Sequence, residues 1–148
     1  MEIRPARPAD GDRIALLIRL LARFEKLPEP DEEAARRLIA DAFEGRRLEL
    51  WVAEEDAVVV AYAACFTSYS TFRARPTLFL EDLFVHPAAR RRGVATALLA
   101  RLRAEAEARG CGRFEWMVLD WNLEAQKLYT GIGATMLAEW RLVRIDLP

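Results

Sequence analysis

Thr77-Leu-Phe-Leu-Glu-Asp-Leu-Phe-Val85 is followed by the turn Arg90-Arg-Arg-Gly-Val-Ala95, and from Val94 to Arg109 apolar residues recur at helical spacing. The first run, rich in β-branched and aromatic residues, reads as a strand, and the last reads as a long helix. A glycine-containing turn therefore feeds a strand into a helix, and such a crossover connects parallel strands. Backbone N–H groups in that turn, with the unsatisfied donors and positive dipole end of the helix, form a cradle for phosphate oxygens. A nucleotide P-loop would require Gly-x-x-x-x-Gly-Lys-Ser/Thr and a dinucleotide fingerprint Gly-x-Gly-x-x-Gly, and neither pattern occurs.

Toward the N-terminus, Glu2 to Ala6 reads as a short strand, and Pro8-Ala-Asp10 opens a helix with Ile14, Leu17, Ile18, Leu21 and Phe24 at helical spacing. Pro28-Glu-Pro30 ends it, and Asp31-Glu-Glu33 places acids in the first turn of a second helix through about Phe43. Leu48 to Glu54 and Ala57 to Tyr69 are strand-like runs joined by a tight acidic turn, the pattern of a hairpin, and Leu78 to Val85 is the third member. Beyond the long helix, Arg113 to Leu119 reads as a strand and Asn122 to Gly131 as a helix. Ala134 to Ile145 alternates apolar and polar residues and reads as two closing strands or one bent strand. The expected fold class is α/β, a mixed sheet with helices on its faces in the order β-α-α-β-β-β-α-β-α-β-β, forming one domain over residues 1–148.

The 148 residues suffice for a buried core without disulfides or metals. Three adjacent arginines could mark a nucleic-acid patch, but the net charge of -1 lacks the basic excess of a nucleic-acid binder. No apolar run approaches the roughly 20 residues of a membrane span, and Met1-Glu-Ile-Arg-Pro-Ala does not read as a signal peptide, so a cytoplasmic address is expected. The two cysteines, Cys65 and Cys111, form no C-x-x-C pair, and with one histidine in the chain no metal is expected. That histidine, His86, has the intrinsic pKa of a general base but precedes Pro87 beyond a strand end and reads as surface structure.

Four separated segments are Leu21-Ala-Arg-Phe-Glu-Lys-Leu27, Tyr69-Ser-Thr-Phe72 with Leu80-Glu-Asp-Leu-Phe-Val85, Arg90 to Ala95, and Leu119-Asp-Trp-Asn122 followed by Tyr129. Together they resemble the GNAT superfamily of N-acetyltransferases, in particular its diamine and thialysine branch. The resemblance implies the GNAT acyl-CoA N-acyltransferase fold, acetyl-CoA as co-substrate and a homodimer. It implies that Leu83, Phe84 and Val85 pair through their backbone with the amide-rich arm of coenzyme A, as an added strand would. Arg90, Arg91, Arg92, Gly93, Val94, Ala95 and Thr96 are implied to hold the pyrophosphate, mostly by main chain. Asn122 and Ala125 fall at the pantetheine arm, and Tyr129 is the implied general acid for the departing thiolate. A tyrosine's ordinary pKa of about 10 lies near enough to a thiol's for that role.

Other readings stand beside these. Tyr129 could be an amphipathic core tyrosine, and Asn122 could cap a helix, alone or in addition. Leu80-Glu-Asp-Leu83 places two carboxylates on opposite faces of one strand. An alkyl ammonium is protonated at neutral pH, so a proton must leave before attack, and a carboxylate can both attract the cation and help remove that proton. By resemblance Glu81 does this, directly or through water, while Phe24, Glu25, Asp82 and Trp140 line the acceptor site; Trp140 could equally serve a dimer contact. Phe24 replaces the tyrosine of the diamine enzymes, Phe72 stands where a tryptophan is frequent, and Ala95 replaces a glycine. The expected activity is acetyl transfer to a primary amine of a small cationic acceptor, a polyamine, diamine or thialysine-like molecule, by direct attack in a ternary complex. Alternatives are acetylation of a protein N-terminus, an amino acid or an antibiotic amine, or a non-catalytic acyl-CoA-binding module.

Overall fold

In the computed structural model, which describes residues 1–148, the chain divides into two compact units, residues 1–117 and residues 118–148. The first unit is built from β1 (Glu2–Pro5), α1 (Gly11–Phe24), α2 (Glu32–Phe43), β2 (Glu49–Glu55), β3 (Val58–Ser70), β4 (Arg75–Val85), α3 (Val94–Ala108) and β5 (Arg113–Trp116). Its sheet has the order β1-β2-β3-β4-β5, antiparallel except for the parallel pair β4 and β5 that α3 connects. The mixed α/β sheet and the parallel crossover are as the sequence leads one to expect.

Between Glu55 and Val58, Asp56 and Ala57 both take positive φ, 49° and 62°. Two left-handed residues in a two-residue loop match the twist of the flanking strands, which is why this turn closes a hairpin. Central strand β3 is buried continuously from Ala61 to Cys65, because helices cover both faces of the sheet there. On one face, Ile14 and Leu17 of α1 pack on Leu50, Val52, Val59, Tyr62, Ala64 and Phe84. Each such aliphatic side chain contributes about 1.5–3 kcal/mol by leaving water. Trp51, alternate to Leu50 and Val52, faces the other side, where the Arg101 guanidinium of α3 lies 5.1 Å over its ring.

A buried ionic cluster ties the first strand to the first helix. Arg4, only 8% exposed, donates to Asp10 through Nη1 at 2.8 Å and Nη2 at 3.1 Å, and also bonds Glu54. Asp10 further accepts from the Arg7 amide at 2.7 Å. The Arg4 guanidinium holds the Asp10 carboxyl below the usual carboxylate range.

The second unit holds α4 (Leu123–Gly131), started by Asn122, whose side chain accepts from the Ala125 amide at 3.2 Å. Gln126 Nε2 donates to the carbonyls of Leu119 and Asp120 at 3.0 Å each, closing the segment before the helix. The expected closing strands are absent: residues 134–148 contain no strand, and Leu142, Val143, Ile145 and Leu147 are 61–89% exposed. Alternation marks a segment able to become a strand, but a strand also needs a neighbour for its backbone groups, and this segment pairs with none. The fifth strand likewise ends at Trp116, short of the expected Leu119.

Candidate active site

Two irregularities of β4 shape the site in the first unit. β5 pairs with β4 only from Thr77 to Leu80, whereas β3 pairs with β4 through to Val85. Residues 81–85 of β4 therefore have no strand beside them on the β5 side. The second irregularity is a register shift against β3, where Ala64 lies opposite Asp82 and Cys65 opposite Leu80, so that Glu81 is the extra residue of a bulge. Simple alternation would put Leu80 and Asp82 on one face; the bulge puts them on opposite faces, Asp82 with Tyr62 and Phe84 on the α1 side. This modifies the strict two-face reading of Glu81 and Asp82. The unpaired edge contains Leu83, Phe84 and Val85, with the Val85 carbonyl accepting from Arg90 Nε at 3.1 Å.

Past Val85, a short 3-10 turn at Pro87–Ala89 leads to the arginines. Arg91 and Gly93 have φ of 61° and 77°, and Gly93 caps α3 in the left-handed region. A Cβ at Gly93 would meet nothing within 4 Å, so glycine answers a backbone requirement there and not a steric one. No side chain caps α3 and no acid lies in its first turn, which leaves the amides of Val94, Ala95 and Thr96 facing outward at the positive end of the helix dipole. Arg92 bridges to Glu55 at 2.7 Å, and the Arg90 guanidinium lies 5.2 Å over Phe84 and 5.5 Å over Phe24. With two of the three arginine side chains engaged by protein, main-chain donors dominate this turn's capacity for a phosphate. A pyrophosphate-bearing co-substrate fits such a donor set.

Acids gather at the far end of the unpaired edge. Tyr62, fully buried, donates its hydroxyl to Asp82 Oδ2 at 3.2 Å. Burial pushes the half-buried Asp82 up to about 6, with Glu81 and Glu25 adding to the rise and the Tyr62 hydrogen bond opposing it. Burial also raises Glu25, which caps the C-terminus of α1. Glu25 and Glu81 thus each act electrostatically on Asp82, and Glu81 itself is exposed. Phe24, next to Glu25 in the chain, lies under the Arg90 guanidinium.

Within the second unit, Asn122 and Tyr129 stand at the N-cap and in the last two turns of α4, and Tyr129 is half-buried. The Ala125 amide is occupied by the Asn122 cap, so Asn122 serves as a cap in this structure. Trp140 lies in the irregular segment and is 74% exposed.

Sequence reasoning missed Tyr62 and the link from Arg90 to Phe24. The available signal for Tyr62 was a lone hydroxyl within Val58-Val-Val-Ala-Tyr-Ala-Ala-Cys65, a run otherwise without side-chain oxygen.

Known proteins similar to this chain are acetyltransferases. The model of the acetyltransferase (GNAT) family matches residues 15–134. A thialysine N-epsilon-acetyltransferase of Mus musculus is 36% identical over 146 residues, covering 93% of this chain and 85% of that protein. An L-ornithine N5-acetyltransferase of Arabidopsis thaliana is 38% identical over 90 residues, 61% of this chain and 40% of that protein. Among solved structures, an aminoglycoside N-acetyltransferase in complex with CoA superposes with a TM-score of 0.81 at 22% identity, covering 99% of this chain and 95% of that one, a likeness of fold.

Proposed function

The chain belongs to the acetyltransferase (GNAT) family, and from that premise we propose that it transfers an acetyl group from acetyl-CoA to a primary amine of a small cationic acceptor of the diamine, polyamine or thialysine class. The observation that carries the acceptor assignment is the pair of adjacent carboxylates Glu81 and Asp82 at the bulge of β4, with Glu25 acting electrostatically on Asp82. Carboxylates there favour a cation, and a second acid beyond the first favours an acceptor with a second polar or charged end. The thialysine acetyltransferases among the relatives support the same reading.

Acetyl-CoA supplies the thioester. The unpaired backbone of Leu83 to Val85 receives its amide-rich arm, and the turn from Arg90 to Thr96 receives the pyrophosphate, chiefly through main-chain N–H groups. Asn122 and Ala125 flank the pantetheine. The acceptor arrives as an ammonium and is received by Glu81, with Asp82 beside it and Phe24 and Glu25 toward its other end. Glu81, directly or through water, takes the proton; the neutral amine nitrogen then bonds to the thioester carbon as the carbon–sulfur bond breaks. Tyr129 gives its proton to the departing thiolate, and the second proton of the attacking nitrogen, released as the amide forms, returns to the Tyr129 phenolate through solvent.

The family match runs from residue 15 to residue 134 and so crosses from the first unit into the second, which favours reading residues 1–148 as one catalytic domain. We further read the protein as a cytoplasmic homodimer. In support, both cysteines are free thiols, no helix is long and apolar enough to cross a membrane, and the exposed apolar segment at Leu142 to Leu147 suits burial against a second copy, where Trp140 would contribute. Release of coenzyme A in the presence of a panel of diamines, polyamines, thialysine, amino acids and peptides tests the acceptor class. Preference for the small cationic amines is the expected result, and acetylation of peptides alone would overturn it.

A further inference from the structure

Tyr62 has a side chain with no accessible surface, set among Ile14, Leu17, Leu50, Val52 and Phe84, and its hydroxyl is the one polar atom in that apolar cluster. A phenylalanine would fill the same space without bringing an oxygen that must find a partner on burial. The partner is Asp82. Tyr62 lies opposite Phe84 in the register, so Asp82 is its diagonal neighbour on the same face, and the hydroxyl meets Oδ2 at 3.2 Å. The other oxygen, Oδ1, takes no hydrogen bond from the protein, and because no buried side-chain oxygen lacks a partner, Oδ1 reaches solvent. The carboxylate is thus pinned by one oxygen from the core and open at the other.

We propose that Tyr62 is a positioning residue of the acceptor site, holding Asp82 through Oδ2 so that Oδ1 is presented to the acceptor's ammonium. This rests on the proposed acetylation of a small cationic amine. The charged and titratable groups that act on Asp82 are Tyr62 from β3, Glu81 beside it on β4 and Glu25 at the end of α1. Burial and the two glutamates push Asp82 toward its neutral form, whereas the phenol favours the carboxylate. Loss of the phenol hydroxyl therefore raises the pH at which Asp82 ionises.

The test is the pH profile of kcat/KM for 1,4-diaminobutane and for thialysine in the wild type, Tyr62→Phe, Asp82→Asn and the double variant, with acetyl-CoA affinity measured alongside. Tyr62→Phe should move the acidic limb upward by about one to two pH units, the scale of one hydrogen bond to a charged group, and converge with the wild type at alkaline pH. Acetyl-CoA affinity should be unchanged. Asp82→Asn should remove that limb, and adding Tyr62→Phe to Asp82→Asn should change nothing more. 3,5-Difluorotyrosine at position 62, a stronger donor that retains the ring, should move the limb downward and serves should Tyr62→Phe lose its fold. Superimposable profiles for wild type and Tyr62→Phe, or independent effects in the double variant, would overturn the role of Tyr62 alone. A wild-type enzyme inactive on every cationic amine would instead overturn the acceptor assignment beneath it.

Discussion

The Arg90 guanidinium lies 5.5 Å over the Phe24 ring, joining the turn before α3 to the end of α1. The same guanidinium lies over Phe84, and its Nε bonds the Val85 carbonyl at 3.1 Å. Arg90 is thereby a structural tie between the coenzyme side of β4 and the segment that carries Glu25. Arg90→Ala should lower stability by about 1–2 kcal/mol, the sum of modest cation–π contacts and one hydrogen bond. Arg90→Lys should restore little, because an ammonium does not stack as a guanidinium does. Denaturant titration of the three proteins checks this, and equal midpoints would remove the tie.

Gly93 separates backbone strain from ligand repulsion. Its φ of 77° and the free space around it mean that Gly93→Ala suffers the left-handed penalty of about 1 kcal/mol without a clash. Gly93→Asp adds a negative charge at the helix N-terminus, where the phosphates are proposed to bind, and should weaken acetyl-CoA strongly. Calorimetric titration should show one site per chain, with Gly93→Ala near the wild type and Gly93→Asp far weaker. Equal affinity in a folded Gly93→Asp protein would remove the phosphate cradle.

Much of this was legible in the sequence because it follows from local rules. The periodicity of Ile14, Leu17 and Leu21 marks α1, the Asp56-Ala57 turn marks the hairpin, and the glycine after three arginines marks the strand-to-helix crossover. What escaped depends on how strands pair. The bulge at Glu81 comes from the register of β4 on β3, and neither strand carries a letter that announces it. Tyr62 is by residue type one more β-former, and its role is set by its diagonal neighbour Asp82. The segment from Ala134 has the alternation of a strand but no partner, and alternation says nothing about partners.

Tyr129→Phe removes only the hydroxyl proposed to protonate the leaving thiolate. It should leave acetyl-CoA binding intact and reduce kcat by about 10²-fold or more, the scale for a positioned general acid. Rapid-quench measurement of the chemical step distinguishes this from a change in product release. A full rate of chemistry would return Tyr129 to packing.

The Arg4 cluster predicts an acid-sensitive component of stability. Because Asp10 is lowered in the folded protein, its contribution is fully present above about pH 4, the ordinary range of an unfolded aspartate, and is lost as pH falls through the lower folded value. Asp10→Asn should cost about 3 kcal/mol near neutrality, since it breaks a largely buried pair. The gap between wild type and Asp10→Asn should narrow below about pH 4. A gap constant with pH would mean that Asp10 is not the titrating group.

The most direct test of the account as a whole is the steady-state kinetics of Glu81→Gln with 1,4-diaminobutane and thialysine, followed by coenzyme A release from neutral pH up to the acceptor's own pKa. If Glu81 receives the ammonium and assists its deprotonation, kcat/KM for the amine should fall by about 10²-fold or more near pH 7 while acetyl-CoA affinity holds. The loss should shrink as the pH nears the amine's pKa, where neutral amine becomes abundant. Amine kinetics identical to the wild type across that range would contradict the assignment of the β4 bulge as the acceptor site.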